Sequence, residues 1–281
     1  MSLRFQRLLF ILLTLVIILS AVLLILYNTR ENVSYFYTPS EIDKSDIIIN
    51  KTIRIGGFVE NNSFNKISNQ LNANSKIIIG ISYDDGEKIF NSLALLNSKF
   101  VLEDKYSKNK LVPFGEFLPF EKFLSNFGLK KVTYGYRSFS SSNERSIMNF
   151  GSISFLPLIC YEIIFSGKLN LDNKDYDFIL NISEDGWFGN SIGPIQHFSH
   201  SIFRSIEEGK DVLRVANNGI SAHISLNGKV VKMLDTTEKG SIEINSVSKP
   251  FPTFFSLHGN KIFFFLVFFY ITLILLLKRI K

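Results

Sequence analysis

The stretch ISFLPLICYE, from Ile153 to Glu162, establishes the fold class of this chain. The run from Ser152 to Cys160 is almost wholly apolar, as expected of a strand that lies inside a sheet. A second strand is predicted from Asp177 to Ser183 (DFILNIS), and a helix begins at Gly193 with Pro194 in its first turn. Strands mixed with a helix predict a layered α/β domain.

Further elements extend this pattern on both sides. Lys76 to Ser82 (KIIIGIS) and Ile89 to Leu96 read as two strands joined by the Asp85-Gly86 turn. Ile220 to Leu226 and Lys229 to Leu234 flank Asn227-Gly228, which predicts a hairpin with a primed turn. The helix after Gly193 has apolar residues at helical spacing, namely Ile195, Phe198, Ile202 and Ile206.

Two uncharged apolar segments predict membrane helices. Leu8 to Tyr27 has 20 residues, and Ile262 to Leu277 has 16 that snorkelling lysines at 261 and 278 can extend. A cleaved signal peptide is the alternative for the first segment, but no small-residue cleavage site follows it. Basic residues lie outside both segments, at Arg4, Arg7, Lys278, Arg279 and Lys281. Both ends are therefore predicted to be cytoplasmic, with the intervening domain outside.

Composition narrows the function classes. A single cysteine excludes an intramolecular disulfide, so Cys160 is either a buried apolar residue or a reactive thiol. The formal net charge of +6 suits contact with an anionic membrane surface. No basic run interleaved with aromatic residues points to nucleic acid.

Three stretches carry residue types that suit catalysis. Cys160 closes an apolar strand and is followed by Tyr161 and Glu162; packing is the alternative for a lone cysteine there. The stretch KYSKNKLVPFGEFLPF places Lys108 before an irregular turn that carries Glu116, although both of its later lysines, 108 and 110, could be solvated surface charges. The stretch NISEDGWFGNSIGPIQH places Trp187 in a loop that is either a binding lip or a plain connection.

Taken together, these stretches resemble a known family. LVPFGEFLP, ICYE, ISEDGWFGNSIGPIQH and RVANNGISAHI match, in order and spacing, the nitrilase-type domain of apolipoprotein N-acyltransferases over about residues 65–281. The resemblance implies an α-β-β-α sandwich facing the periplasm of a bacterial inner membrane. It also implies transfer of an acyl chain from a membrane phospholipid, through a cysteine thioester, to the terminal amine of a diacylglyceryl lipoprotein.

The family's functional residues carry over individually. Its nucleophile falls on Cys160 and its catalytic lysine on Lys108, while further sensitive positions fall on Glu116, Tyr161 and Glu162. We add Trp187 as a substrate-binding residue. Neither a cofactor nor a metal is implied.

Two features depart from the family pattern. Family members have a multi-helix membrane domain before the nitrilase domain, whereas one predicted span precedes it here. They also carry a catalytic Glu in a Trp-Pro-Glu motif, on a strand upstream of the one that matches KIIIGIS. This sequence contains no Trp-Pro-Glu, and the nearest upstream glutamates, Glu41 and Glu60, lack its context. The sandwich is therefore predicted to be incomplete at its N-terminal edge.

The first part of the chain resembles a different family. SYFYTPSEI and TIRIGGFVE are similar to the N-terminus of the periplasmic haem chaperone of cytochrome c maturation, an anchored OB-fold protein. The haem-attaching His of that family lies in a later part of its barrel that is missing here, so no haem is expected. All four histidines, His197, His200, His223 and His258, fall in the acyltransferase-like portion.

We interpret the chain as a chimaeric or truncated reading frame joined near Asn61 to Lys66. A genuine fusion is the alternative. The predicted organisation is an anchor (1–30), a haem-chaperone-like segment (31–64), a nitrilase-like domain (65–258) and a C-terminal transmembrane helix (259–281). The favoured activity is N-acyl transfer, impaired by loss of the catalytic Glu. A nitrilase-fold amidase and a haem-chaperone fragment are the alternatives.

Overall fold

The computed structural model describes residues 3–29, 36–37, 54–55, 71–124, 138–167, 169, 174–236 and 238–279. The predicted junction at 61–66 and most of the segment 31–64 lie outside these ranges. Helix α1 spans Leu3–Thr29. Two short strands follow, β1 (Phe36–Tyr37) and β2 (Arg54–Ile55), and they pair in parallel.

Two sheets form the body of the domain. The first is antiparallel, in the order of its strands β3 (Lys76–Asp84), β4 (Ile89–Asn97) and β5 (Leu102–Ser107). The second contains, in spatial order from one edge to the other, β6 (Met148–Phe150), β7 (Ile153–Ile159), β8 (Phe178–Glu184), β9 (Asp211–Asn217), β10 (Ser221–Ile224) and β11 (Val230–Leu234). Its central strands β7, β8 and β9 are parallel, while β6, β10 and β11 run antiparallel to their neighbours. The strands predicted at 76, 89, 152 and 177 are confirmed, with small shifts at their ends.

The described helices are α2 (Glu121–Leu124), α3 (Gly193–Glu208), α4 (Phe254–His258) and α5 (Lys261–Arg279). Helix α3 covers one face of the six-stranded sheet, and the three-stranded sheet covers the other. Strand β7 shows why: Phe155 and Ile159 enter the cluster between the sheets, while Leu156 and Leu158 enter the cluster under α3. The described residues thus give a β-β-α stack, and the second helical layer of the predicted sandwich stays a prediction.

The face of α3 that is buried is not the face that the spacing of its apolar residues predicts. Ile195 and Ile206 are 57% and 47% exposed, whereas the buried face carries Phe198 together with His197 and Arg204. The predicted helix is confirmed, but the apolar residues at its two ends do not mark its inner face. The reason is that buried polar side chains here have hydrogen-bond partners, which a hydrophobic pattern cannot register.

The hairpin between β10 and β11 is confirmed, but its predicted primed turn is wrong. Gly228 N donates to Ser225 O, so Leu226 and Asn227 are the central turn residues, and neither has a positive φ. Gly228 follows with φ at 83°, and the register shifts between His223 and Ile224. This is a turn followed by a glycine bulge, which the same Asn-Gly pair can also form.

Helix α5 matches the predicted C-terminal span. Among the residues that the structure describes, one segment, Lys261–Lys278, is long and apolar enough to cross a membrane. Its side chains from Phe263 to Phe269 are largely exposed, as a lipid-facing helix requires. Helix α1 covers the predicted N-terminal span, which stays a prediction.

Candidate active site

Cys160 occupies a strained position directly after a buried strand. Strand β7 ends at Ile159, and Cys160 opens a 3-10 helix, Cys160–Ile164, with φ at +50°. A left-handed backbone at a residue other than glycine costs roughly 1–3 kcal/mol and persists only where its surroundings hold it. The sharp turn leaves the partly exposed thiol at the carboxyl edge of the parallel strands. The sequence predicts Cys160 as the last residue of this strand, whereas the strand ends one residue earlier, at Ile159.

Lys108 is fully buried and paired. It follows β5, and its Nζ donates to both carboxylate oxygens of Glu116, at 3.0 and 2.9 Å. The same carboxylate accepts from Asn91 Nδ2 at 2.7 Å and from Val112 N at 2.8 Å. The surface-charge alternative is therefore wrong for Lys108, although Lys110 is exposed. The two charge-assisted hydrogen bonds to one carboxylate hold this ammonium in one position.

Glu162 joins the lysine loop to the cysteine strand. Its fully buried carboxylate accepts hydrogen bonds from Tyr106 Oη, Asn109 N, Lys110 N and Ile159 N at 2.8, 2.9, 3.1 and 2.9 Å. Burial, together with the charge of Glu162, raises the pKa of Tyr106, so its phenol remains a donor. One side chain thus binds the residue after Lys108 and the residue before Cys160, and it fixes the two loops relative to each other.

Replacing Glu162 by glutamine should destabilise the domain by about 3 kcal/mol, because an amide nitrogen would face buried donors that now meet a carboxylate oxygen. The free energy of unfolding can be followed by fluorescence of Trp187, the single tryptophan. The matched control is Glu103→Gln, which removes an exposed ion pair with Lys76 and should cost less than about 1 kcal/mol. Equal effects of the two substitutions would contradict the bridging role of Glu162.

The remaining predicted residues lie near the same sheet edge. Tyr161 is partly buried, with its ring edge-on to Phe165 at 5.2 Å between centroids. Trp187 lies in a 3-10 helix, Asp185–Phe188, directly after β8, and is 43% exposed. Because β7 and β8 are parallel, Cys160 and the loop of Trp187 leave the sheet at the same edge. No contact joins Trp187 to Cys160 within the described residues.

Sequence reasoning missed a buried charged network behind Cys160. Asp185 Oδ1 lies 2.8 Å from His197 Nδ1, and its Oδ2 accepts from Arg214 Nη2 at 2.6 Å. His197 Nε2 in turn lies 3.2 Å from the Cys160 carbonyl oxygen. All three charged or titratable side chains are at most 4% exposed. All three residues lie in stretches that resemble the acyltransferase family, and this position was the one sign in the sequence that they belong to the site. Their spacing does not predict that they are buried or that they contact one another.

Comparison with known proteins identifies the family of the chain. The model of the carbon-nitrogen hydrolase family matches residues 61–248, more than half of the chain. The chain belongs to the carbon-nitrogen hydrolase family. The matched region contains both sheets, helix α3 and every predicted site residue. It begins close to the predicted start of the nitrilase-like domain at residue 65.

Curated relatives of this carbon-nitrogen hydrolase chain are named apolipoprotein N-acyltransferase. The Rhizobium leguminosarum relative is 38% identical over 157 residues, which cover 56% of this chain and 29% of that protein. The Rickettsia typhi relative is 36% identical over 203 residues, which cover 69% of this chain and 40% of that protein. The chain therefore matches only about a third of the length of these relatives.

Among solved structures, the domain is similar to a CN-hydrolase superfamily protein from Xanthomonas campestris. The two are 16% identical, with a TM-score of 0.44, and the match covers 72% of this chain and 71% of the other.

Proposed function

We propose that this carbon-nitrogen hydrolase domain is an acyl-transfer domain of the apolipoprotein N-acyltransferase type. The observation that carries the proposal is the joint placement of a strained, partly exposed Cys160 and a buried, charge-paired Lys108, tied together through Glu162. The names of the curated relatives give the substrate class. The acyl donor is a membrane phospholipid, and the acceptor is the terminal amine of a diacylglyceryl lipoprotein.

The chemistry proceeds in two steps. The Cys160 thiolate attacks the ester carbonyl of the donor, and the lysophospholipid leaves as an alcohol after taking up a proton. The acyl thioester is then attacked by the acceptor amine, which loses a proton as the thiolate departs. Lys108 stabilises the oxyanion of each tetrahedral intermediate and favours the thiolate of Cys160 electrostatically. Glu116 holds the lysine in place through both of its carboxylate oxygens.

The predicted membrane helices suit a lipid substrate. Helix α5 would fix the domain to the bilayer that contains the donor, and the basic residues at its C-terminal end favour a cytoplasmic C-terminus. The domain would then face the periplasm. Trp187, which leaves the same sheet edge as Cys160, is proposed to contact substrate.

The absence of a Trp-Pro-Glu motif from the sequence lowers the rate of acyl transfer that we expect. The chain carries no match to the catalytic Glu of the family, and Glu60, the nearest upstream carboxylate, lies outside the described residues. We therefore propose slow acylation of Cys160 and little onward transfer to an acceptor amine.

The substrate class is tested on the full chain in mixed micelles. Incubated with phospholipid carrying a labelled acyl chain, the protein should gain one acyl group at Cys160, seen by intact-mass and peptide mass spectrometry. Small aliphatic amides should release no ammonia at a comparable rate, because they lack the lipid that the proposed site binds. Ammonia release without acylation by phospholipid would instead identify a nitrilase-fold amidase.

A further inference from the structure

The carbonyl oxygen of Cys160 lies against a buried histidine. His197 Nε2 is 3.2 Å from that oxygen, and since a carbonyl can only accept, the bond requires a hydrogen on Nε2. On the other side of the strained residue, Ile159 N donates to Glu162. The backbone of Cys160 is thus held at both ends while its φ stays at +50°. We infer that His197 is a positioning residue that holds the nucleophile in its left-handed turn.

The position of His197 is fixed in turn by a network of buried charged side chains. Burial alone would raise the pKa of Asp185, but its hydrogen bond to His197 and the charge of Arg214 lower it below the ordinary value. The ionised carboxylate accepts a hydrogen bond from Nδ1 and so orients the ring; with Nε2 donating to the Cys160 carbonyl, both ring nitrogens carry hydrogen. Arg214 is anchored in turn on Asn181 Oδ1 and the Ile220 carbonyl.

The chain following β9 closes tightly over this network. A Cβ added at Gly219 would lie 2.3 Å from Asp185 Oδ2, so no larger residue fits there without displacing the carboxylate. Ser183 Oγ adds a donor to Asp185 Oδ1 at 2.6 Å. The Asp185 carboxylate is thus held by Ser183, His197 and Arg214 and lies against Gly219, which makes His197 a fixed support for the Cys160 carbonyl.

A second buried histidine provides an internal comparison. His223 Nε2 lies 2.8 Å from Asp211 Oδ2, and both side chains are at most 7% exposed. Asp211 is the first residue of β9, so this pair lies at the opposite end of the strand from the Asp185 network. Asp211 also accepts hydrogen bonds from Leu226 N and Ser248 N. The pair has the same chemistry as the Asp185–His197 pair and no contact with Cys160 among the described residues.

Two substitutions separate the two bonds of His197. The asparagine amide nitrogen stands near the position of Nδ1, so His197→Asn keeps the Asp185 bond and loses the Cys160 bond. The glutamine amide nitrogen stands near Nε2, so His197→Gln keeps the Cys160 bond and loses the Asp185 bond. Because Cys160 is the only cysteine, its alkylation by iodoacetamide, followed by intact mass on the full chain, reports its reactivity alone.

We expect alkylation about tenfold slower in His197→Asn and within about twofold of wild type in His197→Gln, since one buried hydrogen bond has roughly that effect. Thermal stability should show the opposite order, because only the glutamine variant loses the hydrogen bond to Asp185. His223→Asn should leave alkylation unchanged. Equal alkylation rates in the two His197 variants, or the faster rate in His197→Asn, would overturn the inference. The inference rests on Cys160 being the nucleophile, but alkylation needs no phospholipid, so failure of the proposed function would be seen separately.

Discussion

Replacing Cys160 by serine should abolish acyl transfer from phospholipid to the protein, a loss of at least about 10³-fold. An unperturbed thiol has a pKa of about 8.5 and is a few per cent thiolate at neutral pH, whereas an alcohol is essentially never ionised there. Lys108 can favour a thiolate through its charge, but its ammonium is bound to Glu116 and is not a base for a serine hydroxyl. The substitution changes one atom, so the backbone at this position should be retained.

The acylated residue can be checked chemically. The bound label should be released by neutral hydroxylamine, which cleaves thioesters and spares oxyesters. Wild-type protein alkylated beforehand at Cys160 should behave like the serine variant, because both lack the thiol while differing in bulk. A hydroxylamine-resistant label on the serine variant would contradict a thioester mechanism.

The sequence predicts the strands of this fold correctly where their residues are mostly apolar. KIIIGIS and DFILNIS have side chains that enter the two cores, and both proved to be strands. Strand β5, LEDKYS, was missed because only Tyr106 is buried in it and its first residues are exposed. Strand β9 was missed because its central residue, Arg214, is a charged side chain inside the core. Burial of a charge depends on partners from distant parts of the chain, which local periodicity does not contain.

The candidate site shows the same division. The resemblance located Cys160, Lys108, Glu116 and Glu162, but it assigned no geometry to them. Glu162 accepts hydrogen bonds from both loops because β5, β6 and β7 pack together in one core cluster. The left-handed turn at Cys160 likewise has no local marker, since cysteine rarely adopts a positive φ.

Supplying the missing carboxylate should raise turnover roughly 10²–10⁴-fold, the usual contribution of a positioned general base. The experiment replaces residues 1–64 by the N-terminal portion of a family member that carries the Trp-Pro-Glu strand. Strand β3 has room for it, because among the described residues β3 pairs only with β4. Ser82 near the carboxyl end of β3 is paired with Asn91, whose carbonyl accepts from Lys108 N. A strand added parallel to β3 would therefore deliver the residue at its own carboxyl end to the edge where Lys108 lies.

The rate is measured with a phospholipid donor and a diacylglyceryl-cysteine peptide between pH 6 and 9. The matched control is the same graft with glutamine in place of the motif's glutamate, which should remain as slow as the unmodified chain. The gain should be largest near neutral pH, because at higher pH the thiol and the acceptor's ammonium group lose their protons without help. If the unmodified chain turns over as fast as the grafted one, a carboxylate already present is the base. Glu60→Gln and Glu116→Gln would then show which, since Glu116 is otherwise committed to Lys108 through both of its oxygens.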